Sequence, residues 1–442
     1  MSATLPRLRN VEAFPVEHEG QRVVALRDPS GFTESIVLLP GPLLEIVSLL
    51  DGEHTLVDVQ AVVMRQHGRM VTAEEIEGVV ASLDEHGFLD TPRFAERQAA
   101  LANEFRAAPT RAASHAGGAY ASDPNELRRV MDGFFTAPNG PGPIAGSSGR
   151  GRAGAPAPRG EPGDPTPGGG GELRGAGAPA RPRPSTPVRA IIAPHIDYHR
   201  GGPAYAWAYR DLAERCDADL FVIFGTCHAG LAEPFALTRK PFETPLGAAR
   251  TDGDFIDALV KRARHDCFAS ELGHRGEHSI EFQAVFLRYL FGATRDFTIV
   301  PVLASFAHEA LARGRRPQDD PSVMTFLDAL AETAAAQNRR VAFVAGADLA
   351  HVGPRFGDRQ PVSDTALARI EREDRAMLEP VSAGDADGFF TSIEADGDRR
   401  RICGFSPIYA MLHCLPGVRG SVKHYGQWPD PQAVVTYASV VY

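Results

Sequence analysis

Several things are scarce in this chain of 442 residues, and each scarcity narrows its role. Positive charge falls short: 46 lysines and arginines stand against 56 aspartates and glutamates, a formal net charge of -10. That balance speaks against nucleic acid as a partner. No uninterrupted apolar run approaches the roughly 18 residues that a bilayer span requires, so no membrane partner is expected. The opening "MSATLPRLRNVEAFPV" lacks the continuous apolar core of a secretory signal. Cysteine is sparse and odd in number, with Cys216, Cys227, Cys267, Cys403 and Cys414 all beyond residue 215. Such usage is no disulfide framework and fits a reducing compartment, so a cytoplasmic protein is expected. Gly201-Gly202 lacks the GxGxxG spacing of a phosphate loop.

What remains is a chain long enough for more than one domain, with an ordinary hydrophobic content of 43%. Three regions separate by composition. Residues 11–97 hold the strand-like "QRVVALRDP" and "ESIVLLP", then three amphipathic runs, "PLLEIVSLLDG", "LVDVQAVVMRQHG" and "AEEIEGVVASLDEHG". Each run ends in a glycine suited to closing a helix, and Thr72 with Glu75 forms a capping box for the third. "FLDTPRF" then reads as extended, which predicts a small winged-helix α+β module with a β-wing. Its third helix is acidic, which argues against reading DNA. Residues 136–187 are dominated by Gly, Pro, Ala and Arg and are expected to form a disordered insertion. Residues 116–135 join 188–442 in an α/β domain, the helix "YASDPNELRRVMDGFF" packing on the part beyond the insertion.

In that last region "VRAIIAPH", "DLFVIFGTCH", "FTIVPVLAS" and "VAFVAGADLAH" are short, continuously apolar runs bounded by polar turns. They fit buried strands of a mainly parallel sheet in a three-layer domain, with "AVVTYASVVY" as one more interior strand. Three of the strands end in metal-capable residues: His195, then Cys227-His228, then Asp348 with His351 three residues on. In open α/β sheets the carboxyl ends of strands converge on the ligand crevice. Cys403 joins them, because Ser406 and Pro407 predict a helix start just after it and three arginines precede it, features that favour a thiolate. Taken singly, each of these residues is more simply a turn histidine or an inert thiol. Their agreement points to a metal site. Glu277-His278 opens a helix and fits a pocket wall, a hydrogen-bond partner of a ligand, or a plain cap. His265 and Cys267 read as a helix end and its turn, and His413 and Cys414 as core. His199 and His424 are candidates to line the cleft.

These segments resemble the Memo family, also known as protein B of the AmmeMemoRadiSam system. The resemblance runs through "AYASDPNELRRVMDGFF", "APHIDYHRGGPAYAWAY", "FGTCH", "TPLGAARTD", "EHSIEFQAVFL", "IVPVL", "GADLAHVGPRFGD", "CGFSPI" and the terminal strand. It implies a fold similar to class III extradiol dioxygenases and a metal pocket held by His195, His228 and Cys403. Asp348 and His351 would face that pocket as the catalytic pair, with His351 as acid/base. Iron is the first metal implied, with copper or zinc as alternatives. The first region resembles PqqD-like modules through "LLDG" and "LDEHGFL", which implies a peptide or protein partner. Radical-SAM and AMMECR1-type proteins are the other partners implied. The chain departs from the family pattern at Ile196-Asp197, at Cys227 and in "YGQWPD", so no substrate is carried over.

Two functional readings result. One is a metal-dependent redox enzyme, in which a thiolate replaces the carboxylate of the two-histidine facial triad. The other is a non-enzymatic metal-binding adaptor for a peptide or protein. A Cys–His hydrolase using Cys403 or Cys227 ranks below both, because no oxyanion-hole motif accompanies either thiol.

Overall fold

Residues 3–145 and 187–442 are described by a computed structural model. Three antiparallel strands come first, β1 (Glu12–His18), β2 (Gln21–Arg27) and β3 (Ile36–Pro40), side by side in that order. Four helices follow: α1 (Gly41–Val47), α2 (Leu56–His67), α3 (Ala73–Glu85) and α4 (Pro92–Ala107). The capping box at α3 is present, with Thr72 Oγ1 accepting from the Glu75 amide at 3.2 Å and Glu75 accepting from the Thr72 amide at 2.9 Å. Thr55 and Asp58 build a second one at α2, which Gly68 closes in the left-handed conformation.

The extended return expected over "FLDTPRF" is confined to a single bridge between Leu8 and Leu89. From Thr91 the chain turns helical, because the Thr91 hydroxyl caps Phe94 and Pro92 stands at the first helical position. The first region therefore ends on a fourth helix that runs ten residues past the boundary drawn at 97, burying Phe94 and Phe105.

Next comes α5 (Pro124–Thr136), capped by the Asp123 side chain. Leu127, Met131 and Phe135 bury its apolar face with residues of the α/β domain, as the sequence predicts. The expected disorder is overturned at its start: the Trp207 indole donates to Asn139 O, and the Ala145 amide donates to Glu214. These two contacts pin residues 137–145 along the next helix. The rest of the expected insertion lies outside the described residues.

After residue 187 come β4 (Ala190–Ala193), α6 (Tyr198–Arg215), β5 (Leu220–Thr226), β6 (Phe235–Leu237), β7 (Arg250–Thr251), α7 (Gly253–Ala263) and α8 (His278–Phe291). They are followed by β8 (Thr298–Ala304), α9 (Ala307–Ala312), α10 (Pro321–Ala335), β9 (Val341–Gly346) and β10 (Asp348–Val352). The chain closes with α11 (Asp364–Ala383), α12 (Ala386–Glu394), α13 (Phe405–His413), β11 (Ser421–Asp430) and β12 (Ala433–Val441). The sheet runs β10-β12-β4-β9-β5-β8-β6, with β11 on β12 and β7 on β8. Strands β4, β9, β5 and β8 are parallel. The run read as one strand over "VAFVAGADLAH" is two, β9 and β10, which pair with different neighbours.

Successive residues of the central strands bury on opposite faces. Val222 and Phe224 join one apolar cluster, while Phe221 and Ile223 join another. Each such side chain contributes roughly 1.5–3 kcal/mol by leaving water. Burial on both faces explains the unbroken apolar runs and leaves polar chemistry only at strand ends.

Candidate metal centre

The carboxyl ends of β4, β5 and β9 lie side by side, and the predicted residues meet there. The His195 and His228 ring centroids are 4.9 Å apart, and Cys403 Sγ stands 3.2 Å from His195 Nε2. Asp348 Oδ2 is 3.7 Å from the same nitrogen. Two groups of donor atoms, each mutually within 4.8 Å, result: His195, Asp348 and Cys403, and His195, His228 and His278.

The rings of His195 and His228 are held by their Nδ1. His195 Nδ1 donates to Gly346 O at 2.9 Å, and His228 Nδ1 to the Glu277 carboxylate at 3.1 Å. His278 Nδ1 lies 3.4 Å from Glu277 Oε1. A hydrogen bond at Nδ1 fixes the tautomer that leaves Nε2 with a free lone pair, the usual arrangement behind metal-bound histidine. The rings of His228 and His278 stack at 4.7 Å and 15°.

Glu277 serves two of the roles left open by the sequence. It caps α8 by accepting from the Ser279 amide, and it accepts both the amide and the ring of His228. His278, read as a wall residue or a partner of a ligand, instead brings a donor nitrogen into the cluster. Its signal was present in "EHS", where a histidine follows a capping glutamate and must sit at the mouth of the helix.

Charge in the cluster follows from burial. Burial, and next to it the charge of the neighbouring His228, lower the His195 pKa to about 3, so the ring is a neutral donor. Burial pushes Asp348 up to about 6 and Cys403 well above the usual thiol range. Burial also opposes charge on His228, yet Glu277 outweighs it and raises that ring. The three arginines before Cys403 do not stabilise a thiolate, contrary to the expectation from sequence. Arg399 pairs with Glu373, Arg400 with Asp374 and Arg401 with Asp358. Ser406 does not cap α13 either: that helix starts at Phe405, and the Ser406 hydroxyl accepts from the amides of Phe306 and Ala307 at 3.0 Å. A thiolate at Cys403 would need a bound cation beside it.

His351 stands on β10 with its ring against Phe356 at 5.0 Å and Nδ1 donating to Leu349 O. Its charge acts on Asp348 and on His195. Cys227 turns away, its thiol donating to Gly230 O. His199 and His424 pack beside Trp428 and Trp207 and lie in neither donor group. His413 is not core, because it pairs with Asp328 at 2.8 Å with part of its ring in solvent. All five cysteines are free thiols. No helix among the described residues is long and apolar enough to cross a membrane.

Comparison with known proteins bears on this geometry. A "MEMO1 family protein" of Aquifex aeolicus is 25% identical over 437 residues, 98% of this chain and 99% of its own length. One from Methanosarcina mazei is 30% identical over 263 residues, covering 58% of this chain and 85% of the relative. One from Thermus thermophilus is 25% identical over 374 residues, covering 83% and 92%. The family model described as "Memo-like protein" matches residues 175–441, well over half of the sequence, and the chain belongs to that family.

Proposed function

We propose that the chain is a metal-binding redox protein of the non-haem iron or copper type, with His195, His228 and Cys403 as ligands. The observation that carries this reading is the placement of His195, its Nδ1 already held, with Nε2 beside a thiol and a carboxyl group and its ring beside that of His228. Such a set suits a soft or borderline cation rather than Mg or Ca. Bound there, the metal would supply Lewis acidity and a change of oxidation state.

The chain's own residues do the rest. Asp348 Oδ1 accepts from the His195 amide and keeps the β4 end in place. A carboxyl group pushed up to about 6 also exchanges protons near neutral pH. His351 Nε2, the ring nitrogen not bonded to Leu349 O, is the atom that would move a proton. The finer structural reading is a dioxygenase-type three-layer domain behind a PqqD-like winged-helix module. Radical-SAM and AMMECR1-type proteins would be its working partners, in the cytoplasm.

An adaptor is the second reading, and one observation favours it. The first region reaches the turn beside His351: residues of β1 face Arg355, Phe356 and Arg401 across a shared cleft. A cavity of about 510 Å³ lies between β1 and the Arg355-Phe356 turn beside His351, and a larger one of about 900 Å³ separates α4 from Ala229–Ala232 and Glu277. These clefts would admit a peptide or protein segment to the metal.

Metal analysis of protein purified without chelators separates the readings. Stoichiometric iron with oxygen uptake supports the enzyme, whereas tightly held metal without turnover supports the adaptor. A wild-type chain that retains no metal, alongside a Cys403→Ser variant that behaves identically, would end both.

A further inference from the structure

We infer that Arg111 is a positioning residue of the metal centre, and that the joint between the two regions and the His228 side of the centre form one hydrogen-bonded unit. The inference rests on the metal reading above. Arg111 lies in the connection after α4, in "TRAASH", and is fully buried. Its backbone is stitched into the α/β domain, the amide donating to Pro241 O at 2.8 Å and the carbonyl accepting from Glu243 at 2.9 Å.

The guanidinium spends its donors on the segment that carries the ligands. Nη2 donates to Glu277 O at 2.7 Å, Nε to His274 O at 2.9 Å, and Nη1 to Ala112 O and to Glu281. Glu277 is the residue whose carboxylate holds His228. Arg111 therefore fixes from behind the peptide that aims His228 from in front. Glu281, its buried counter-ion, also receives the His115 ring and the Tyr120 hydroxyl, and the His115 ring packs edge-on against His278 at 5.6 Å. His228, through Glu277, and His278, through His115, are thus braced by residues 111–120. A rigid fork of five N–H groups can serve four acceptors on three different segments, whereas lysine has only three donors and no plane.

The test uses the full chain, Co(II) as the probe, and its visible absorption bands as a report on ligand geometry. Arg111→Met should weaken Co(II) binding in a chelator competition by about 10–100-fold and shift those bands, and Arg111→Lys should recover part of both. Lys240→Met is the comparator. Lys240 Nζ donates to Arg106 O and Ala108 O at the end of α4, so the variant loosens the same joint without touching Glu277. It should leave the bands and affinity of wild type. The inference is overturned if Arg111→Met binds like wild type, or if Lys240→Met loses as much. Should Arg111→Met fail to fold, Arg111→Lys decides: a spectrum and affinity identical to wild type overturn the inference, and an intermediate loss supports it. Wild-type protein that takes up no Co(II) would overturn this inference and the metal reading together, which separates that failure from one confined to Arg111.

Discussion

Glu281 shows how much of this molecule depends on single buried groups. Burial alone would raise its pKa, but the hydrogen bond from His115 and the charge of Arg111 hold it down at about 2. Because the folded value lies below the ordinary 4.5, its stabilising contribution is complete above about pH 4.5 and disappears as pH falls toward 2. Replacing it by glutamine strands the Arg111 guanidinium in the interior. Glu281→Gln should therefore cost about 3–5 kcal/mol in chemical denaturation at pH 7, with a smaller cost at pH 3. A variant as stable as wild type at pH 7 would refute this account. Neither residue could be picked from the sequence. Three of the four acceptors of the Arg111 guanidinium lie 163 to 170 positions away, and no local periodicity records a bond of that range. His195, His228 and Asp348 were legible because a parallel sheet puts chemistry at strand ends, a rule that needs no side-chain detail, whereas Cys403 was picked for a Ser406 cap and three arginines that the fold uses elsewhere.

At the scale of elements, the approach of α8 to the sheet decides where Glu277 and His278 stand. Two glycines make room for it. A Cβ on Gly346 would lie 2.5 Å from Ser279 O, and one on Gly225 would lie 2.4 Å from Ser279 Oγ. Gly346 also presents the carbonyl that holds His195. Gly346→Ala should push the first turn of α8 outward, cost about 1–3 kcal/mol in thermal or chemical unfolding, and weaken metal binding. An unchanged unfolding midpoint together with unchanged metal affinity would contradict the close approach. The elements themselves were mostly readable from apolar periodicity and caps. The fourth helix of the first region was missed although Thr91 and Pro92 announce it, because "FLD" ahead of them looks like a strand. Strand β1 was missed because its residues are largely exposed and carry no apolar alternation.

The molecule as a whole is divided by a segment whose two ends nearly coincide. The Ala145 amide bonds to Glu214, and the Val188 amide bonds to the carbonyl of Arg215. The chain thus leaves and rejoins the fold at adjacent residues of α6. Because the two anchor points are adjacent on α6, exchanging residues 146–186 for about ten Gly/Ser residues should keep the fold and its stability, measured by denaturant titration. A loss of several kcal/mol would mean that the excised stretch packs somewhere. His195 sets a different whole-molecule property. It belongs to both donor groups, yet with Nδ1 committed to Gly346 its ring retains a single lone pair. One pair cannot serve two ions, so the four surrounding donors compete for one mononuclear occupant. Calorimetric titration of the metal-free protein with Zn(II) should end at a single equivalent, the shared imidazole acting as the counter.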